Sequence, residues 1–419
     1  MQKRIKPDYS STAFPLRTWT EGGVGVNAEA GPKLAMSAPK PLLLTALEPS
    51  ADAIGAAFMR ALKARAPETR FIGCGGPAMA AEGFKSLFPT DAFAVMGVAD
   101  VASVFFKAMT SARSLADLAK SEQADAAVFI DGWSFSRLCA TRFKKYAPET
   151  KLYKLAAPQV WASRPNRVDF VAEHFAGVMC LLPFEPRLFE AAGAKAAFVG
   201  NPNFQAAARA RGDGAAFRMR HGLGQRPILT VLLGSRGGEV KRHAEVFGAV
   251  VDRMAKAVPN LAVVAPLAPA VEVLAREAIA AWGTAPFVPK TDEKYDAFSA
   301  STAALAASGT VTTELAINGA PMVVAYRVET LTALWLWRAM ICDYASIVNI
   351  AADKEILPEF LQNRCTVDNI APALQTLLTD EAARTAQQAA VQETLQYLDV
   401  DGDSAEARAA EQLLRWMAP

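Results

Sequence analysis

The chain has 419 residues, 52% of them hydrophobic, with Lys+Arg 44 against Asp+Glu 42 and a net charge of +2. That length exceeds what one core ordinarily serves, which predicts two domains, while a pI of 8.2 is too mild to argue for a polyanion such as nucleic acid. Much of the apolar excess is alanine and no run reaches the ~18–20 uninterrupted apolar residues of a spanning helix, so a mean hydropathy of +0.14 need not mean a membrane-spanning protein, and the disordered, collagen and integral membrane classes are excluded.

Residues 1–39 are rich in Gly, Ser, Pro and charge without a sustained period and read as a disordered extension. Met36, just before the first strand, reads as the true start, and the basic opening lacks the apolar stretch of a secretory signal. An apolar run at Pro41–Leu47 then predicts a strand, and Ser50–Ala66 follows with helical spacing. Short apolar runs recur at Arg70–Gly73, Val128–Ile130, Leu152–Leu155 and Val178–Leu182, each followed by a helical stretch. The rhythm pauses at Phe198-Val199-Gly200-Asn201-Pro202 and restarts at Ile228–Leu233, Ala262–Ala265, Ala303–Ala306 and Met322–Tyr326. Alternation of this kind predicts an α/β protein of two doubly wound, Rossmann-like domains, at 40–205 and 206–380, with a helical segment at 381–419 that packs back across the joint. Cys74, Cys139, Cys180, Cys342 and Cys365 show no Cys-x-x-Cys spacing and the chain has 3 His. This argues against a disulfide scaffold or a Cys/His zinc site and for a cytoplasmic setting.

In open parallel sheets ligands bind where strands end and helices begin, and four such places carry usable side chains. After the first strand come Glu48 and Ser50, with Asp52 two residues on. Ser50 serves equally as a helix cap and Asp52 as a first-turn charge, whereas Glu48 is harder to assign to structure alone. Ile130-Asp131-Gly132-Trp133 offers a carboxylate that could act as a base or bind a sugar hydroxyl, or form an Asx-turn. Gly234-Ser235-Arg236-Gly237-Gly238 enters a helix with a guanidinium suited to a phosphate, although it matches neither the Walker pattern nor G-x-G-x-x-G. Ser308-Gly309-Thr310 opens another helix as an anion site, with Glu314 one turn on to reach a ribose diol. No Asp-x-Asp clamp accompanies the phosphate candidates. Together these residues suggest a metal-independent nucleotide-sugar glycosyltransferase that needs no cofactor, the nucleotide sugar being a substrate.

The ordered series of motifs resembles the lipid-A-disaccharide synthase family of GT-B glycosyltransferases from about Pro41 to Gln362. The similar stretches are Phe71–Met79, Val95-Met96-Gly97-Val98, Pro158–Arg164 with Trp161, Leu181–Glu185, Gly234-Ser235-Arg236, Ser308-Gly309-Thr310, Pro321–Arg327 and Pro358–Gln362. The resemblance implies two Rossmann-like domains facing across a cleft. It also implies an inverting transfer of 2,3-diacylglucosamine from UDP to the 6-hydroxyl of 2,3-diacylglucosamine 1-phosphate, giving a β-1,6 disaccharide. On this footing Asp131 is the expected base, with Glu48 as rival or acceptor ligand. Gly234, Ser235, Arg236, Ser308, Gly309 and Thr310 are expected to hold the diphosphate, Glu314 the ribose and Asn349 the donor side. Ser50, Met96, Gly97 and Trp161 fall to the acceptor side.

Departures from the family pattern concentrate in the first half. Ser-Gly-Asp is Ser50-Ala51-Asp52, Asp-x-Pro-Asp-Phe-Asn is Asp131-Gly132-Trp133-Ser134-Phe135-Ser136, and Gly-His-Pro is Gly200-Asn201-Pro202; in the second half Leu-Pro-Asn is Ile347-Val348-Asn349. A different acceptor, such as a diamino sugar or altered acyl chains, is therefore an open alternative, as are another UDP-sugar enzyme and a non-catalytic nucleotide-sugar-binding relative. Acylated substrates imply a peripheral enzyme at the inner-membrane surface. Val101–Met109 and Leu331–Met340, with Trp335, Trp337 and Arg338, are the candidate membrane faces, with core packing or a homodimer contact as their alternative use.

Overall fold

The apolar runs assemble into two separate parallel sheets. The computed structural model describes residues 40–90, 101–329 and 342–418, with backbone alone for 101–105. The 1–39 extension, Met36, Met96, Gly97 and the Leu331–Met340 stretch lie outside the described residues.

The first sheet contains β1 (Leu42–Thr45), β2 (Phe71–Cys74), β3 (Ala126–Ile130), β4 (Lys151–Leu155), β5 (Gly177–Cys180) and β6 (Ala196–Phe198), in the order β2-β1-β3-β4-β5-β6. The second contains β7 (Ile228–Leu232), β8 (Ala262–Val264), β9 (Ala303–Ala306), β10 (Met322–Tyr326) and β11 (Glu359–Leu361), in the order β11-β10-β9-β7-β8. Both reverse direction beside their first strand, between β1 and β3 and between β7 and β9. Such reversals open a crevice at the carboxyl ends of the strands. Each sheet is buried on both faces, which is why its inner strands read as unbroken apolar runs. Leu44 and Phe58 lie in the core on one face of the first sheet, Phe129 and Phe143 on the other. Phe129 meets Phe143 and Phe175 edge to face at 5.5 and 6.0 Å, so its truncation to alanine would cost about 3–5 kcal/mol. The two strands the periodicity does not reveal, β6 and β11, are three-residue edge strands. They are too short to carry an alternation.

The chain crosses between domains twice. The first crossing follows β6 at residues 199–201, where Asn201 caps the helix Pro202–Arg209 by accepting from the Asn203 and Phe204 N–H groups at 3.0 and 3.4 Å. Phe204, Ala207 and Ala208 of that helix belong to the second core, so the expected 205/206 boundary falls inside a helix. The 381–419 segment likewise divides. Glu381–Tyr397 packs on the second domain through Val391 and Leu395, while Ala405–Met417 returns to the first through Ala409, Ala410 and Leu413. Trp416 stacks flat on Tyr153 of β4, centroids 5.9 Å apart. Buried Gln205 fastens the two crossings, donating to the Asp403 carbonyl at 2.7 Å and accepting from the Ala405 N–H at 2.8 Å. Among the described residues no helix is long and apolar enough to cross a membrane.

Candidate active site in the cleft between the sheets

The strand ends of the two sheets border one cleft of about 1090 Å³. From the first domain it receives Ser50, Asp131, Gln159, Trp161, Glu185 and Asn201. The second contributes Gly234, Ser235, Arg236, Ser308, Gly309, Thr310 and Glu314, with Lys290, Lys294 and Tyr326 beside them. Sequence reasoning therefore placed two loops of the second domain and the β3 end of the first on one cavity.

On the second domain, β7 runs into the helix Gly237–Ala257 through a tight turn. Gly234 has φ +112, and a Cβ there would lie 2.5 Å from Glu239 Oε2, so both the backbone and the space require glycine. Glu239 reaches back from the first helical turn. Its carboxylate accepts from the Ser235 N–H at 2.9 Å, the Arg236 N–H at 3.3 Å and the Tyr326 hydroxyl at 3.1 Å. Burial pushes the Glu239 pKa up, but these bonds and the Arg236 charge outweigh it and hold it below the usual carboxylate value. Behind the turn, buried His243 lies between the Leu233 carbonyl, 3.0 Å from Nδ1, and the Arg327 N–H, which donates to Nε2 at 3.0 Å. That pairing makes the ring neutral with its proton on Nδ1, and burial lowers its pKa accordingly. The turn is thus fixed from below while the Arg236 side chain, 80% exposed, extends outward with one contact to Glu239 Oε1 at 3.2 Å.

The second anion site is the start of the helix Thr310–Ile317, whose cap residue Gly309 makes no side-chain cap. Its first N–H groups are not covered by a capping side chain, and the helix dipole adds to their pull on an anion. The Ser308 hydroxyl instead donates to the Ala345 carbonyl at 3.1 Å. Glu314 borders the cleft but is engaged, by Lys294 Nζ at 2.6 Å and the Tyr295 hydroxyl at 3.1 Å. A diol would therefore take Glu314 from existing partners. Asn349 is not at the cleft. It is fully buried and braces the loop before β11, donating to the Leu357 carbonyl and Glu359 Oε1 at 2.8 Å and accepting from the Ile356 and Leu357 N–H groups.

On the first domain, the β3 end places Asp131 at the cleft. Glu48 meets Asp131 only at a small side hollow with Thr45, Gly132 and Phe135, and does not border the main cleft. Asp52 lies elsewhere: 4% exposed, its carboxylate accepts the Gly76, Ala78 and Met79 N–H groups at 2.7–3.0 Å and caps the helix Pro77–Ala81. Trp161 joins the cleft wall and donates its indole N–H to Glu185 at 2.9 Å. Glu185 is 3% exposed and also accepts the Leu181 and Leu182 N–H groups, each at 3.0 Å. Burial nonetheless dominates and pushes its pKa up to about 7. Sequence reasoning missed Glu239, Lys294 and Tyr326 as site residues; Glu239, three residues after Arg236, carries the one recognisable signal, that of a capping carboxylate. Among the described residues no group of three His, Cys, Asp or Glu is placed to hold a metal ion.

A model of the lipid-A-disaccharide synthetase family matches residues 42–413. The lipid-A-disaccharide synthase of Paramagnetospirillum magneticum is 38% identical over 377 residues, covering 89% of this chain and 96% of its own. That of Rhodospirillum centenum is 39% identical over 380 residues, covering 90% and 94%. Among solved structures, the fold is similar to a UDP complex of Staphylococcus aureus MnaA, with TM-score 0.58 and 13% identity, covering 89% of this chain and 94% of that one. It is also similar to the calicheamicin glycosyltransferase CalG4, with TM-score 0.53 and 15% identity, covering 91% and 99%. These two likenesses establish the two-domain GT-B fold.

Proposed function

The chain belongs to the lipid-A-disaccharide synthase family, a hexosyltransferase family that forms the lipid A disaccharide, and we propose that it carries out this transfer across the cleft with Asp131 as base and Arg236 as diphosphate anchor. The observation that carries the assignment is that Asp131 borders the same cavity as Arg236 and the Thr310 helix start, from the opposite domain. In this reading the donor is a UDP-activated diacylglucosamine and the acceptor a diacylglucosamine 1-phosphate. Asp131 removes the proton from the acceptor 6-hydroxyl, the oxygen bonds to the donor anomeric carbon from the face opposite UDP, and the bond to the β-phosphate oxygen breaks. The charge that develops on the diphosphate is met by Arg236 and the backbone N–H groups opening the Thr310 helix, while Glu314 exchanges Lys294 for the ribose diol. We propose that this charge is met without a metal ion or cofactor, so that chelation with EDTA leaves turnover unchanged.

The acyl chains are proposed to enter from the cytoplasmic face of the inner membrane. Phe106, 69% exposed on the helix Val101–Ser121, supports an apolar approach beside the first domain, and liposome flotation tests it. Use of the same stretches in a homodimer is the competing proposal, and sedimentation in detergent-free buffer separates the two. The direct experiment incubates purified protein with UDP-diacylglucosamine and the monosaccharide phosphate. Disaccharide and UDP are expected from the wild type, with at least a 100-fold loss in Asp131→Asn; full turnover by Asp131→Asn would remove Asp131 from the role of base.

A further inference from the structure

Lys154 is an anomaly of the first sheet. It sits in β4, paired with Phe129 of β3 and Val178 of β5, and is 1% exposed. Among the described residues no other lysine or arginine is buried. A buried ammonium is costly unless its donors are satisfied, and here all three find carbonyls: Asp131 at 2.7 Å, Leu155 at 3.0 Å and Phe129 at 3.2 Å. Two of those carbonyls belong to the end of β3 and the residue leaving it.

That end has an unusual backbone. Asp131 and Gly132 follow one another in the left-handed region, at φ +49 and +51, a conformation that costs a non-glycine residue about 1 kcal/mol or more. The turn is held in place by its hydrogen bonds. The Asp131 N–H donates to the Leu155 carbonyl at 2.9 Å, the carbonyl that Lys154 also binds. The Asp131 carbonyl is gripped from two sides, by Lys154 Nζ and by the Ser136 hydroxyl at 2.9 Å. Apolar side chains of the same volume would fill the space of Lys154, but none would supply these donors.

We propose that Lys154 is a positioning residue for the transfer: through the Asp131 carbonyl it locks the left-handed turn that presents Asp131 to the cleft. The charge acting on Lys154 is that of Asp131, which works against burial, and burial brings the ammonium pKa down to about 7. The inference rests on the reading of Asp131 as base.

The test compares Lys154→Met, Asp131→Asn and the double variant in the intact chain, measuring kcat and the KM for the UDP-sugar separately. If Lys154 acts through Asp131, Lys154→Met lowers kcat about 10- to 100-fold, leaves the donor KM within about twofold, and adds no loss to Asp131→Asn. A merely structural lysine would lower the active fraction without this pattern, and its effect would persist in the Asp131→Asn background. Ser136→Ala, which removes the other hydrogen bond to the same carbonyl, serves if Lys154→Met does not fold, and a several-fold drop in kcat at constant donor KM is expected. Unchanged kcat in the folded variant of this pair, beside an inactive Asp131→Asn, overturns the Lys154 assignment alone. Wild-type turnover by Asp131→Asn overturns instead the reading on which it rests.

Discussion

Replacing Arg236 by alanine separates binding from folding more cleanly than any other change at the cleft. Its side chain is 80% exposed and makes one contact, to Glu239 at 3.2 Å. Losing an exposed pair at i, i+3 costs about 0.5 kcal/mol of stability or less, and Glu239 retains the Ser235 N–H and the Tyr326 hydroxyl. The melting temperature should therefore hardly move. In the donor complex the same guanidinium would make a charge-assisted contact to the diphosphate, worth about 1.5–3 kcal/mol. That corresponds to a loss of about 10- to 150-fold in kcat/KM for the UDP-sugar. Competition assays locate the loss on the substrate: inhibition by UDP should weaken by a similar factor, and inhibition by uridine, which lacks the diphosphate, should not. Equal weakening of UDP and uridine would show that the residue shapes the loop instead of holding phosphate. Unchanged UDP inhibition would refute the anchor altogether.

Two further outcomes follow from buried carboxylates. Asp52→Ala strips three backbone N–H groups of their shared acceptor and should destabilise the first domain by about 3 kcal/mol, seen as a lower denaturation midpoint with UDP binding retained. Glu185, ordinarily titrating near 4.5, is pushed up to about 7, so the folded state holds its proton more tightly than the unfolded one. Its contribution to stability is complete below about pH 4.5 and is lost as pH rises through about 7. Denaturation midpoints across that window should decline in the wild type and flatten in Glu185→Gln.

Most strands visible in the sequence are buried on both faces, where the parallel sheet imposes a continuous apolar run; the partly buried edge strand β2 is the exception. Asp131, Arg236 and Thr310 could be found for a related reason: each terminates such a run, and a strand end beside a helix start is where a parallel sheet exposes its chemistry. Asn349 illustrates the limit. Its polarity fits a ligand contact equally well, yet all its hydrogen-bonding capacity is spent inside the fold on Leu357, Glu359 and Ile356. Asp52 was legible as a helix-end charge but not as the cap of a different helix, since its partners at Gly76–Met79 are brought near only by the β1–β2 pairing. Lys154 could have been noticed as a cation inside the run Leu152–Leu155, and its purpose emerged only with the carbonyls around it.

The return of the last helix to the first sheet has a consequence for how the protein is made. Multidomain chains generally fold in the order in which they leave the ribosome, but here the first core includes Ala409, Ala410 and Leu413. That domain cannot complete its core until residues 405–417 have emerged, and the second domain, complete through Leu398 and Val400, is free to finish before it. A chain halted short of Ala405 would leave the helix Pro49–Arg65, against which the last helix packs, with an uncovered apolar face. Such a product would expose apolar surface of the kind chaperones and proteases act on, so the domain begun first is completed by a helix made after the whole of the second.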